Sequence, residues 1–219
     1  MNASHTLVST VGDYARTTTT GQRAHATTAG DYAHSATTGD YAHATATGGH
    51  AHAATTGNDA HAATTGDYAR ATTAGGHAHA TTTGQRAHSA TTGPRAHATT
   101  TGDYAHATAT GGHAHAATTG DYAHSATTGN DAHATTTGQR AHATATGGHA
   151  HAATTGANSI AVAVGANSYA RAANGGFIVL AQYDGDTVVA VKTAQVGKDG
   201  IKPDTWYKLS PTGEFVEAE

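Results

Sequence analysis

At 219 residues, with no Cys, 12% charged and 5% aromatic residues and a net charge of −4 with His neutral, the chain excludes several classes at once. Disulfide and thiolate chemistry require Cys. Nucleic-acid binding requires a concentrated basic surface that this balance does not supply, and no apolar run approaches the roughly 20 residues of a membrane helix, so neither nucleic acid nor membrane insertion is expected.

In chain order, residues 1–11 read as an N-terminal cap. Met1 to Val11 lacks the basic and apolar regions of a signal peptide, so none is expected. Leu7, Val8 and Val11 are the only aliphatic side chains larger than Ala before residue 157.

Residues 12–173 are dominated by a nine-residue unit, written sixteen times without a gap from Gly12 to Thr155. Numbered p1 to p9 from its Gly, the unit has Gly at p1 and Ala at p4 in every copy. Position p5 is His fourteen times and Arg twice, at Arg16 and Arg70. Position p6 is Ala or Ser apart from Thr17, and p7 to p9 are all Thr or Ala. The p2-p3 pair is Asp-Tyr six times, Gly-His four, Gln-Arg three, Asn-Asp twice and Pro-Arg once. Such a strict phase argues for a stacked repeat rather than disorder.

Thr favours strands, and Gly with Asp or Asn favours turns. The unit therefore reads as a turn over p1–p3 and a strand over p4–p9. Alternation puts p4, p6 and p8 on one face and p5, p7 and p9 on the other. Burying fourteen His and two Arg in a narrow lumen is costly, so the Ala face is expected inside. The next unit leaves this open, because Ile160, Val162 and Val164 occupy the His-face columns and are apolar. Two units per coil give an 18-residue turn and a rod on the order of 43 Å long. The expected fold is thus all-β: a parallel β-solenoid, or β-roll.

Residues 174–219 read as a small C-terminal antiparallel β module. Its strands are expected at Phe177–Ala181, Thr187–Val196 and Trp206–Leu209, with a short fourth at Phe215 and Val216; Asp184-Gly185-Asp186 is the hairpin turn. About 46 residues are marginal for independent folding, so the module is expected to dock on the last rungs or to trimerise.

Asn158-Ser159-Ile160-Ala161-Val162 and Asn167-Ser168-Tyr169-Ala170 resemble the head repeats of YadA-like trimeric autotransporter adhesins. The Ala-His-Ala units followed by Gly are similar to the head-like β-roll repeats of phage tail proteins. The resemblance implies a homotrimer on a virion tail or cell surface, facing a host-surface glycan or protein. It also implies that Ile160 and Val162 point into the coil and that Ala161 lies towards a neighbouring chain. The family's coil is usually fourteen residues, and His stands here where the family has an apolar residue.

No acid–base–nucleophile set stands out, so an enzyme is not expected. Tyr14, Tyr32, Tyr41, Tyr68, Tyr104 and Tyr122, all at p3, are candidate binding residues on exposed turns. The His ladder, with His97, His106, His115 and His124 as representatives, is a candidate Zn or Cu site, since these metals accept nitrogen ligands. A solvated row of stacked rings is the plainer alternative. The Thr columns admit an ice-binding reading beside the plainer one of strand propensity.

Overall fold

The structure is a computed structural model and describes residues 5–218; Met1 to Ser4 of the expected N-terminal cap lie outside the described residues. Strands β1 (His5–Val11), β2 (Arg16–Thr20) and β3 (Arg23–Ala29) open the stack. From β4 (His34–Thr38) to β17 (His151–Thr154) a strand begins every ninth residue. Then follow β18 (Ile160–Val164), β19 (Tyr169–Arg171), β20 (Phe177–Asp184), β21 (Thr187–Gln195), β22 (Tyr207–Leu209) and β23 (Phe215–Glu217). No helix occurs among the described residues.

Odd-numbered strands from β1 to β19 form one parallel sheet, which β22 and β23 extend to twelve strands. Even-numbered strands up to β20, with β21 at the edge, form a second sheet of eleven. Each repeat strand pairs with the one two units away in strict register, as in His106↔His124 and Thr110↔Thr128. The protein is therefore a parallel β-solenoid of about ten turns, with two nine-residue units per turn. Among the described residues no helix is long and apolar enough to cross a membrane.

The unit Gly102–Thr110 shows why the sequence adopts this path. The Ala105 amide donates to the Gly102 carbonyl at 3.2 Å and closes the turn. That bond draws p4 into the turn, so the strand starts at His106 rather than at Ala105. Tyr104 occupies the left-handed region at φ 58°, a cost for any side chain with a Cβ. Gly102 has φ 142°, and a Cβ there would lie 2.1 Å from the Gly84 carbonyl oxygen one coil away. The p1 Gly is thus required twice, by its backbone angle and by the close approach of successive coils.

The Ala face is inside. Ala105 and Ala109 are 0% exposed, Ala107 is 1% exposed, and the interior consists of Ala, Ser and Thr throughout the repeats. So small a set of side chains contributes little hydrophobic stabilisation per residue, at roughly 25 cal/mol per Å² buried. Continuous ladders of backbone hydrogen bonds carry the shaft instead.

The orientation implied for Ile160 and Val162 by the adhesin-like motif is corrected by the structure. Ala161 and Ala163 are 0% exposed inside the coil, whereas Ile160 and Val162 stand half-buried on the outer surface. The parallel register decides the side: Ile160 pairs beside His142 and Val162 beside Thr144, both outward positions, while Ala161 and Ala163 continue the inward row. The outer row instead runs from His142 through Ile160 to Phe177.

The two ends differ. At the start, Leu7 and Val11 are 77% and 83% exposed, and no described segment covers them. At the other end β20 pairs in parallel with β18, and β22 pairs antiparallel with β19. The interior widens there, and Ile178, Leu180, Val196, Ile201 and Tyr207 join the last Ala rungs in one core. These strands cap the solenoid by extending both of its sheets.

Candidate functional site

Outward side chains form long columns because every coil repeats the same register. In the odd-strand sheet, His25, His43, His61, His79, His97, His115, His133 and His151 stack face to face. The His97–His115 ring centroids are 4.8 Å apart and their planes differ by 1°. Tyr169 ends this column by stacking on His151, and Trp206 meets the same ring edge-on at 5.2 Å. In the even-strand sheet, His34 and His52 stack, Arg70 interrupts, and His88, His106, His124 and His142 resume.

The four representatives of the His ladder therefore lie on two different sheets. His97 and His115 are neighbours on one, His106 and His124 on the other. In rings stacked face to face the nitrogen lone pairs lie in parallel planes, so neighbours do not converge on one point between them. Among the described residues, no group of three or more His, Cys, Asp or Glu side chains is arranged to hold a metal ion.

The columns alter the imidazoles. Burial against the sheet, then the charges of His61 and His25, pushes His43 below the ordinary His value of 6.5. The same causes, burial first and neighbouring His second, lower His106 and His124. His88 is lowered by burial and then by the Arg70 guanidinium. Two facing carboxylates oppose the trend: Asp59 pulls His79 upward, and Asp131 does so for His133 and His151, without reversing the net direction.

Two further columns run along the turns at p3. One edge carries Tyr14, Tyr32, His50, Tyr68, Arg86, Tyr104, Tyr122 and Arg140. Its rings stack where they are adjacent: Tyr14–Tyr32 at 5.0 Å, Tyr32–His50 at 4.6 Å and Tyr104–Tyr122 at 5.0 Å. Arg86 lies between two Tyr faces, 5.5 Å from the Tyr68 centroid and 5.7 Å from that of Tyr104. Beneath them Asp103 Oδ1 accepts from the Asp121 amide at 3.0 Å, one of several such Asp-to-backbone links along the edge. The structure thus brings five of the six candidate Tyr onto one edge and leaves Tyr41 on the other, beneath Arg23. Tyr14, Tyr32, Tyr41, Tyr68 and Tyr104 are exposed, while Tyr122 is half-buried.

Sequence reasoning passed over Arg70 and Arg86. The available signal was the 18-residue coil, which sets Arg86 between Tyr68 and Tyr104 and Arg70 between His52 and His88.

The Thr columns are also regular. Thr47, Thr65, Thr83, Thr101, Thr119, Thr137 and Thr155 form an unbroken exposed row at p9 of the odd strands. The p7 row beside it alternates irregularly, with Ala63 and Ala117 among Thr45, Thr81 and Thr99.

No known protein family, curated protein or solved structure matches this chain.

Proposed function

We propose that this chain is a non-enzymatic structural shaft that displays turn residues along its edges for binding. The carrying observation is the Tyr/His/Arg column from Tyr14 to Arg140, held in register by a continuous parallel ladder. A rigid scaffold bearing aromatic and guanidinium groups on its turns suits adaptable recognition of surfaces. The reading extends to a phage tail-fibre or surface-adhesin-like component, on a virion tail or cell surface, that meets a host-surface glycan or protein.

A homotrimer belongs to the same reading. Support comes from the outer surface near β20 and β21, where Phe177, Val188, Val189 and Val191 are 38%, 47%, 54% and 59% exposed. Light scattering that reports a monomer at every concentration removes the trimer.

The display reading is tested on an array of glycans and matrix proteins. Binding is expected for the native chain and is expected to fall when Tyr14 and Tyr32 are replaced by Ser. An array blank for every ligand overturns the display role.

One observation favours a second reading, ice binding: the unbroken p9 row of exposed Thr on a regular sheet. Thermal hysteresis at about millimolar protein would support it, and its absence dismisses it; strand propensity then accounts for the Thr.

A further inference from the structure

One stretch of the Tyr/His/Arg edge differs from the rest. Here a groove of about 570 Å³ is lined by His50, His52, Tyr68, Arg70, Arg86, His88, Tyr104 and His106. Its two walls are the p3 and p5 columns of three successive coils and the His50/His52 coil before them.

The charge in this groove is one-sided. Arg70 and Arg86 belong to successive coils of the same edge, and no carboxylate lines the space. Among the described residues the one ion pair is Lys202 with Glu217, so neither Arg is neutralised by a carboxylate. The p2 residue beside Arg86 is Gln85, where most coils of this edge carry Asp. The nearest Asp on either side is turned onto the backbone: Asp67 accepts from the Gln85 amide at 3.1 Å and Asp103 from the Asp121 amide at 3.0 Å.

The guanidinium of Arg86 is also pre-oriented. It lies between the Tyr68 and Tyr104 faces and donates to the Tyr68 hydroxyl. A guanidinium held by such contacts loses little freedom on meeting an anion and presents a planar fork to it. Arg70 takes the place of a ring in the imidazole column, between His52 and His88. The faces of Tyr68 and Tyr104 are taken up by His50, Arg86 and Tyr122 in the column, so what these residues offer the groove is their exposed ring edges and phenol hydroxyls, which can hydrogen-bond a sugar.

We propose that this groove binds the acidic end group of a saccharide, its carboxylate or sulfate held between Arg70 and Arg86 and its hydroxyls meeting the phenol and imidazole edges that line the groove. This rests on the display reading and specifies its ligand. An extended polyanion fits less well. Along this edge it would pass Asp13, Asp31, Asp103 and Asp121, on a chain whose net charge is −4.

The test uses the full chain at neutral pH and titration calorimetry with three matched probes: 3′-sialyllactose, lactose 3′-sulfate and lactose. An oligothymidylate serves as the polyanion arm. The variants are Arg70→His and Arg86→Tyr, the residues that other coils carry in the same columns, so the stack is kept. Equal melting temperatures will verify that. At least one acidic probe is expected to bind with a Kd at or below about 1 mM, and lactose about tenfold more weakly. The double variant is expected to lose about tenfold for the acidic probe and nothing for lactose. Preference for carboxylate or for sulfate identifies the end group. No preference for the acidic probes, a double variant that binds like the native chain, or tighter binding of oligothymidylate each overturns the proposal. Array binding that depends on Tyr14 and Tyr32 but survives the double variant also overturns it, and leaves the display reading standing.

Discussion

At the scale of single residues, the interior contains a contradiction. Thr100 is 0% exposed, and its hydroxyl meets no hydrogen-bond partner among the protein atoms. The same holds for Thr28, Thr82 and Thr136 in the same column. A buried hydroxyl without a partner costs about 1–3 kcal/mol. Val has nearly the same shape and the same strand preference. Thr100→Val is therefore expected to raise stability by about 1 kcal/mol, read as a higher melting temperature or denaturation midpoint. A lower midpoint would show that the hydroxyl is paired after all. The invariant p1 Gly could be read from sequence as a turn former, but its second cause could not. Only the stacking of Gly102 over the Gly84 carbonyl shows that two coils leave no space for a Cβ.

At the scale of elements, the strands behave as columns rather than as individual segments. Ten His, among them His43, His106, His115 and His151, hold their protons less tightly in the fold than in the unfolded chain. Their folded values lie below 6.5, so protons favour the unfolded chain. The contribution is complete above about pH 6.5 and is lost as pH falls through the lowered values. Melting temperature is expected to be flat from about pH 8 to 7 and to decline below about 6.5. Salt should recover only part of the loss, since burial is the first cause and screening acts only on the His–His repulsion. A melting temperature that rises on acidification would contradict the stacked columns. Much of this architecture was legible in the sequence: the turn, the two faces and the 18-residue coil follow from Gly, Ala and Thr in phase. The strand start was not, because p4 looks like a strand residue until the Ala105–Gly102 hydrogen bond claims it for the turn. The motif around Ile160 implied the opposite orientation, since it does not disclose the register that sets Ile160 beside the outward His142.

At the scale of the whole molecule, both sheets run unbroken from the first rung into the C-terminal strands. Folding of the last segment is thus tied to the solenoid: β20 uses β18 as its template, and Ile178 and Leu180 fill the end of the lumen. The candidate groove was harder to read. Arg70 and Arg86 are sixteen residues apart and belong to different positions of the unit. They become neighbours only when the coil length and the sequence of both columns are considered together.

The pairing of two units per coil also makes the shaft sensitive to parity. Loss of one nine-residue unit by slippage in the gene would keep every turn and every inward Ala, yet exchange the edges. Excision of Gly111–Thr119 would give the remaining chain a normal stack. Everything before the cut would then be rotated by half a turn relative to β20 and β21. The Tyr edge would be split between opposite sides of the rod. Loss of two adjacent units would shorten the rod and leave its decoration intact. Single-unit and double-unit deletions are both expected to fold, by circular dichroism. Tyr104 and Val189 lie at opposite edges of the rod, and only the single-unit deletion is expected to bring a label on Tyr104 to the edge of a label on Val189, as measured by electron–electron distance. Equal distances in both would show that the coil is not built from two units.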